Sequence, residues 1–432
     1  MTGLFSRRDV LQTALGTGLG TLLSACSTAP APDGIHRIVV IGGGFGGTIA
    51  AKQLRKLNPK LDITLIDRNP SHICCPFSNY VLTGQRPLSS LTFSYTALCE
   101  RYKIRFVQGN VTAIDPDSHT ITVTGTAQNG TTNIRYDDLI LSPGIDFRDD
   151  DIDGYDARRT PLTMPHAWIA GEQTILLKNQ IDAMPDGGVV LISVPPAPYR
   201  CPSGPYERAS LLAEHFSRHK PRSKIIILDA NPTIQSLDAH FRKLWSERFP
   251  SMIEYVADDP VIRLDDRNGT LVCRSGASFR GDVVNVIPAQ KAGGLARETG
   301  LLDAKQHWCP VVPDSFESTK VQNIYVIGDA AQANPMPKSG YSANSHAKAC
   351  AINLVNRIAG RPPIGFSGIN VCYIGLSANE TASFAAVYAT SGQHFITVPG
   401  TGGVSPIQSP FAQRERDDAE SWLRNILVEM SE

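Results

Sequence analysis

Apolar residues along this chain fall into short runs that end in Gly, Pro or Asp and alternate with stretches of helical period. "RIVVI" at 37–41 and "DITLID" at 62–67 predict two buried parallel strands, and the amphipathic "TIAAKQL" between them predicts the connecting helix. "YDDLILSPG" at 136–144 and "STKVQNIYVIGDAAQ" at 318–332 predict further strands of the same kind, the second followed by a helix over "SANSHAKACAINLVNRI" at 342–358. A separate pair, "GGVVLISV" at 187–194 and "SKIIILDA" at 223–230, begins what reads as a second doubly wound unit. The fold class is therefore α/β, with two Rossmann-like domains and a small domain at the C-terminal end. The division is discontinuous: 1–34 a leader and linker, 35–155 a first nucleotide-binding part, 156–290 an inserted Rossmann-like domain, 291–365 the return to the first, and 366–432 a tail domain.

The turn after the first strand carries chemistry. In "HRIVVIGGGFGGTIAAKQL", Gly42, Gly44 and Gly47 stand in the G-x-G-x-x-G order, which allows a tight turn, a pyrophosphate's approach to the backbone, and close helix packing. Asp67 ends the next strand, where a carboxylate can hold a ribose hydroxyl pair. Gly328 and Asp329 close the distant "YVIGDA" strand, a pair that two-domain flavoproteins place over the pyrophosphate and ribityl chain of FAD; Asp329 as a helix N-cap is compatible with that role. With "YDDLILSPG" between them, which resembles the strand and turn by which the chain leaves the FAD domain in that superfamily, three motifs in this order favour FAD over NAD at the first site.

The second unit departs from the pattern. A nicotinamide-binding copy would carry a glycine loop between its first two strands, and here the loop is "PPAPYRCPSGPYERA" at 195–209. Prolines fix the backbone angle and remove amide donors, so this loop does not cradle a pyrophosphate. It presents Cys201 between Arg200 and Arg208, whose charge is expected to favour the thiolate; the bland alternative is a stiff turn with a buried cysteine.

Composition narrows the classes. The 432 residues are 42% apolar and 19% charged, with 41 basic against 41 acidic residues, which gives no reason to expect a nucleic-acid partner. "SRRDVLQ" at 6–12, with Arg7 and Arg8 ahead of an apolar stretch from Thr13 to Leu23, has the order of a twin-arginine export signal, and the stretch is well short of the roughly 20 residues a spanning helix needs. "LLSAC" resembles a lipoprotein box with Cys26 as the acylated residue, ordinary cleavage near "STAPA" being the alternative. A periplasmic location follows, with membrane attachment only through that anchor. Nine cysteines are then compatible with disulfides, while the absence of C-x-x-C and of His/Cys clusters argues against a metal.

"MPHAWIAGEQTILL", "PPAPYRCPSGPYERASLL", "HWCPVVPDSFEST", "YVIGDAAQANPMPKSGYSANSHAKACA" and "INVCYIGL" resemble, in order, the flavoprotein subunit of flavocytochrome c sulfide dehydrogenase. "GTGGVSP" and "AESWLRNILVEM" extend the resemblance into the tail. It implies a redox-active disulfide between Cys201 and Cys372 over the flavin, and FAD attached covalently through a cysteine in "HICCPFSNYVLTG". Cys75 stands at the matching place, with Cys74 beside it and noncovalent FAD as alternatives. The implied reaction is oxidation of sulfide to sulfur or polysulfide, with electrons passed to a separate c-type cytochrome, since this chain has no C-x-x-C-H. A sulfide:quinone oxidoreductase shares this logic but would need an apolar or amphipathic membrane-facing tail, which the mixed-charge end "FAQRERDDAESWLRNILVEMSE" disfavours. A type II NADH dehydrogenase would need the second glycine loop, and a flavin-bearing electron-transfer or assembly protein would make the disulfide structural. Cys99, Cys273 and Cys350 read as buried thiols, Cys309 has no assigned partner, His166 and His346 read as satisfied core histidines with contact to flavin or substrate as the alternative, and Lys338 stands either near the flavin's edge or in solvent.

Overall fold

The computed structural model describes residues 34–125 and 130–432; Arg7, Arg8 and Cys26, and the export and anchor expectations with them, lie outside the described residues. The strand β1 (Arg37–Ile41) takes the middle of a five-stranded sheet because Ile38, Val39 and Val40 are apolar on both faces, and both faces are covered. It pairs in parallel with β2 (Asp62–Asp67) on one side and β4 (Asp138–Leu141) on the other. β3 (Arg105–Gln108) extends the sheet beyond β2, and β9 (Ile324–Val326) pairs with β4, giving the order β9-β4-β1-β2-β3. The helix α1 (Phe45–Leu57) crosses from β1 to β2 and packs on α4 (Gly340–Ile358).

The second unit repeats this plan. β5 (Val189–Val194) lies between β6 (Lys224–Asp229) and β8 (Val283–Val286), with β7 (Ile253–Val256) outside β6, all parallel. The strands of this sheet come from the chain between β4 and β9. Where the chain leaves the first unit and where it returns, Ile145–Phe147 and Gln290–Ala292 pair as a short antiparallel ladder. In each sheet the first strand lies where the strand order reverses, so the loop after it opens into the crevice where such folds bind ligands. In the first unit that loop is the glycine turn. In the second it is the proline loop, which runs into α3 (Gly204–His219).

The tail forms an antiparallel sheet of β10 (Ser367–Gly375), β11 (Thr381–Ser391) and β12 (His394–Thr397), covered by α5 (Ala412–Ser431). α5 is amphipathic, and Ala419, Leu423, Ile426 and Met430 are all buried. Among the described residues no helix is long and apolar enough to cross a membrane.

Candidate functional site

The glycine turn has no room for side chains. Gly42 sits at φ +99°, where a Cβ would meet Ser142 O at 2.2 Å, and a Cβ on Gly47 would come within 1.8 Å of Gly42 O. Gly44 begins α1 without a side-chain cap and with no acidic residue in the first turn, so the helix end keeps its amide donors for an anion. Asp67 is tied to the same turn, its Oδ2 accepting from Gly43 N at 2.7 Å. Across the cleft Gly328 (φ +72°) and Asp329 form a single short turn. The N-cap of α4 is Ser339, which accepts from Ser342 N at 3.0 Å, so Asp329 does not cap that helix. Its carboxylate faces Arg200 at 3.8 Å; burial holds its pKa up, and the Arg200 and Lys338 charges oppose that. A turn closed to side chains, an uncapped helix end and two carboxylates across one cleft fit an FAD.

The corresponding place in the second unit is filled. Asp229 ends β6 where a ribose-binding acid would stand, but its Oδ2 accepts from Tyr206 at 2.6 Å and Tyr255 at 2.9 Å, and its Oδ1 from Asn231 N at 2.8 Å. Tyr199 and Tyr206, both from the proline loop segment, are buried there. Aromatic rings and an internally satisfied acid stand where a nicotinamide dinucleotide would need open backbone.

The proline loop turns its cysteine toward the first unit. Cys201 adopts φ +57°, a conformation L side chains rarely hold, and its N–H donates to Lys338 O at 3.0 Å. A Cβ on Gly204 would meet Trp168 Cη2 at 2.6 Å and Cys201 Sγ at 3.1 Å, so the absence of a side chain there lets the indole close over the sulfur. Trp168 in turn donates from Nε1 to Arg200 O at 3.1 Å, and Arg200 reaches back to Trp168 O. Cys372 comes from the middle of β10, opposite Phe384, with Asn370 Nδ2 donating to its sulfur at 3.3 Å. Cys75 arrives from the segment before α2 (Ser78–Leu82), half-buried, its thiol 3.7 Å from Trp168 O. All three cysteines line one cavity of about 120 Å³. Cys74 is fully buried in the core on the other side of the chain. No disulfide joins Cys201 to Cys372; among the described residues all eight cysteines are free.

The structure corrects the electrostatics expected at Cys201. Burial against the protein pushes its thiol up, Glu207 and Cys372 add to the rise, and Arg200 pulls the other way, although one side of the residue stays exposed. Arg208 donates its hydrogen bonds to Asn79 Oδ1, Asn285 Oδ1 and the carbonyls of His166 and Ala167; burial lowers its pKa to about 10 against the charges of Cys201 and Glu207. Cys372 is likewise pushed up by burial against the Asn370 hydrogen bond. Two thiols held mostly protonated resist ionising unless a proton acceptor is near.

A buried carboxylate close to both is Glu207, which inspection of the sequence passed over. It is 8% exposed, six residues after Cys201 on the first turns of α3, and lines the same cavity. Its Oε1 accepts from Asn79 Nδ2 at 3.0 Å and its Oε2 from Gly375 N at 3.1 Å, while burial raises its pKa. The available signal was the Glu-Arg pair opening the otherwise apolar run "ASLLAEHF", two charges on a helix end that must be buried. Tyr341 and Trp422 were missed as well. Their rings stack at 6.1 Å and 11°, and both line this cavity and also a larger groove of about 540 Å³ between α4, β10 and α5.

The remaining candidates take structural places. Lys338 is buried rather than solvated, donating to Asp329 O at 2.7 Å and Ala331 O at 2.9 Å above the Trp308 ring, with burial lowering its pKa to about 8. His166 packs on Phe147 and His346 on Phe316, each at 4.5 Å, and burial lowers both to about 3. Cys273, Cys309 and Cys350 are buried and Cys99 is half-buried.

Comparison with known proteins matches three segments of the chain to families. Residues 36–170 match the pyridine nucleotide-disulphide oxidoreductase family, 174–288 the family described as sulfide dehydrogenase (flavocytochrome c) flavoprotein chain, central, and 366–430 flavocytochrome c sulphide dehydrogenase, flavin-binding. The sulfide dehydrogenase (flavocytochrome c) flavoprotein chain of Chlorobaculum thiosulfatiphilum is 52% identical over 48 residues, which are all of that sequence and 11% of this one. The chain belongs to the flavocytochrome c sulfide dehydrogenase flavoprotein family. It is a sulfide-oxidising flavoprotein family, and its flavin-binding match covers the strand that carries Cys372. Sulfide-quinone reductase of Aquifex aeolicus is 26% identical over 362 residues, covering 75% of this chain and 77% of its own. The solved structure of the sulfide:quinone oxidoreductase from that bacterium shares the fold with a TM-score of 0.71 at 20% identity, over 91% of this chain and 92% of that one.

Proposed function

We propose that this flavoprotein oxidises sulfide at a Cys201–Cys372 disulfide, carries FAD covalently on Cys75, and delivers electrons to a separate c-type cytochrome. The observation that carries the reading is the convergence of Cys75, Cys201, Cys372 and the buried Glu207 on one small cavity beside the dinucleotide cleft. A cavity of about 120 Å³ holds a few water-sized molecules, which suits an inorganic sulfur anion better than a bulky organic thiol.

In the oxidised protein, hydrosulfide attacks one sulfur of the pair. A sulfur–sulfur bond forms to the substrate as the Cys201–Cys372 bond breaks, leaving a persulfide on one cysteine and a thiolate on the other. Glu207 takes the proton of incoming hydrogen sulfide, and its position beside both cysteines lets it do so whichever sulfur is attacked. A second hydrosulfide at the outer persulfide sulfur releases a disulfane and leaves two reduced cysteines. Bound FAD would accept the electron pair of the two thiols and release it singly. Gly42, Gly44 and Gly47, with Asp67, Gly328 and Asp329, would hold that FAD, and the Trp168 indole closes over Cys201. The stacked Tyr341 and Trp422, shared between the cavity and the outer groove, support electron exit on the α4–α5 face, where a cytochrome would dock. Export to the periplasm by the Arg7–Arg8 signal, with or without a lipid on Cys26, places the reaction where c-type cytochromes reside.

Anaerobic mixing tests the whole reading. Sulfide should bleach the flavin, NADH should not, and oxidised cytochrome c should restore the colour faster than a soluble quinone does. Bleaching by NADH, or reoxidation by quinone alone, would overturn the donor or the acceptor respectively.

A further inference from the structure

Glu207 and Arg208 are consecutive residues, both buried, and both are held by the side chain of Asn79. Arg208 has donors only, so its Nε at 3.0 Å obliges Asn79 to turn its oxygen that way. The amide nitrogen of Asn79 must then face Glu207 Oε1 at 3.0 Å, and it also donates to Gly204 O at 3.2 Å. Arg208 cannot swing away to release this orientation, because Asn285 Oδ1 at 2.6 Å, Ala167 O at 2.7 Å and His166 O at 3.1 Å pin the rest of its guanidinium. Asn285 is itself fixed by donating to Pro165 O and His166 O. The chain of bonds links the inserted domain's sheet, through Arg208 as donor on both sides and then Asn79, to the carboxylate.

We propose that Asn79 is a positioning residue that sets the proton affinity of Glu207, by presenting a donor, and never an acceptor, to its carboxylate. The proposal rests on Glu207 exchanging the substrate proton. A fixed donor favours the ionised carboxylate, the form that can take that proton, while the surroundings favour the neutral one. Glu207 is faced by Asn79 and Tyr80 from α2, by Arg208 on its own helix, by Cys201 from the proline loop, by Cys372 and Gly375 N from β10, and by Arg416 from α5. Burial drives its pKa up; the Asn79 bond is the foremost of the effects that draw it back, ahead of the Gly375 amide and the two arginines. Asn79 lies in the same short stretch as Cys75, four residues on, so the segment that is proposed to hold the flavin also adjusts the acid-base group.

The test is the pH profile of sulfide-driven flavin bleaching in the flavin-loaded protein, measured anaerobically for wild type, Asn79→Asp, Asn79→Ala and Glu207→Gln. Asn79→Asp keeps the partner Arg208 needs and replaces the donor facing Glu207 by an oxygen. Asn79→Ala removes the donor and leaves Arg208 its three other acceptors. Both variants should move the limb that reports Glu207 upward by about 1 pH unit or more, with flavin content unchanged. A merely structural Asn79 would lower flavin content or melting temperature and leave the limb in place. Glu207→Gln separates the two ideas. If it abolishes the limb while a folded, loaded Asn79 variant leaves it unmoved, the positioning role is overturned and Glu207 stands; if the limb survives Glu207→Gln, the proton role of Glu207 falls and Asn79's with it. Should Asn79→Ala fail to fold, Asn79→Asp alone decides.

Discussion

The backbone N–H of Cys201 donates to the carbonyl oxygen of Lys338 at 3.0 Å, which fastens the proline loop of the inserted domain to the Gly-Asp segment of the first. Lys338 is anchored in turn through its ammonium to Asp329 O and Ala331 O. The position of the cysteine therefore depends on main-chain bonds and not on its own sulfur.

Cys201→Ser and Cys372→Ser should accordingly keep the flavin and the melting temperature of the wild type while each loses sulfide-dependent cytochrome reduction by about 100-fold or more. The double variant should be no worse than either single one, because two groups acting as a unit are each indispensable. Flavin absorbance, thermal melting and steady-state cytochrome reduction on the three variants check this. Near-normal turnover per flavin in either single variant sinks the disulfide mechanism.

Flavin attachment is tested by acid precipitation. The yellow colour should stay with the pellet of wild-type protein and pass to the supernatant with Cys75→Ser. Cys74→Ser should retain the colour, since that thiol is enclosed in the core, and should instead cost stability by placing a hydroxyl among apolar neighbours, on the order of 1–3 kcal/mol. Colour released from unmodified protein would refute the covalent bond.

Acid should loosen the fold through buried imidazoles. His166 and His346 have pKa values lowered from 6.5 to about 3, so between those limits the unfolded chain binds protons that the folded one refuses. Stability is then intact above about pH 6.5 and falls as pH drops, by about 2 kcal/mol per ring at pH 5. His72, lowered to about 4, adds a loss of the same sign, so urea unfolding at pH 7 and pH 5 measures the sum, and His346→Phe should remove about 2 kcal/mol of it. An unchanged pH dependence in that variant would show that His346 titrates normally.

The tyrosines around Asp229 should prove structural. Tyr206→Phe removes the hydroxyl that lies 2.6 Å from a buried carboxylate and should lower stability by about 1–3 kcal/mol. It should not confer NADH-dependent bleaching, because the loop still lacks backbone donors for a pyrophosphate. Bleaching by NADH in Tyr206→Phe would mean that the second crevice is merely plugged.

Both doubly wound sheets were legible in the sequence because their central strands are apolar on both faces and end in glycine or proline, signals that need no knowledge of neighbours. Gly42, Gly47 and Gly328 were legible for a related reason: a position with no room for a Cβ, or a positive φ, excludes most residues. Glu207, Asn79 and Trp422 were not, since a charged or polar residue near a helix end looks solvated until the partner element is placed against it. Asn79 and Glu207 are 128 residues apart. The charge effect on Cys201 was misread because sequence shows the neighbouring arginines but not the burial of the thiol, and burial outweighs their pull.

The packing around Asp229 also bears on descent. A return to nicotinamide use would require glycines in place of several prolines, removal of the rings of Tyr199 and Tyr206, and release of Asp229 from three partners. Each change alone unsettles a filled core and yields no binding until the others are made. Intermediates along that route lose core packing before they gain a nicotinamide site, so the filled crevice works as a ratchet against nicotinamide use at this place.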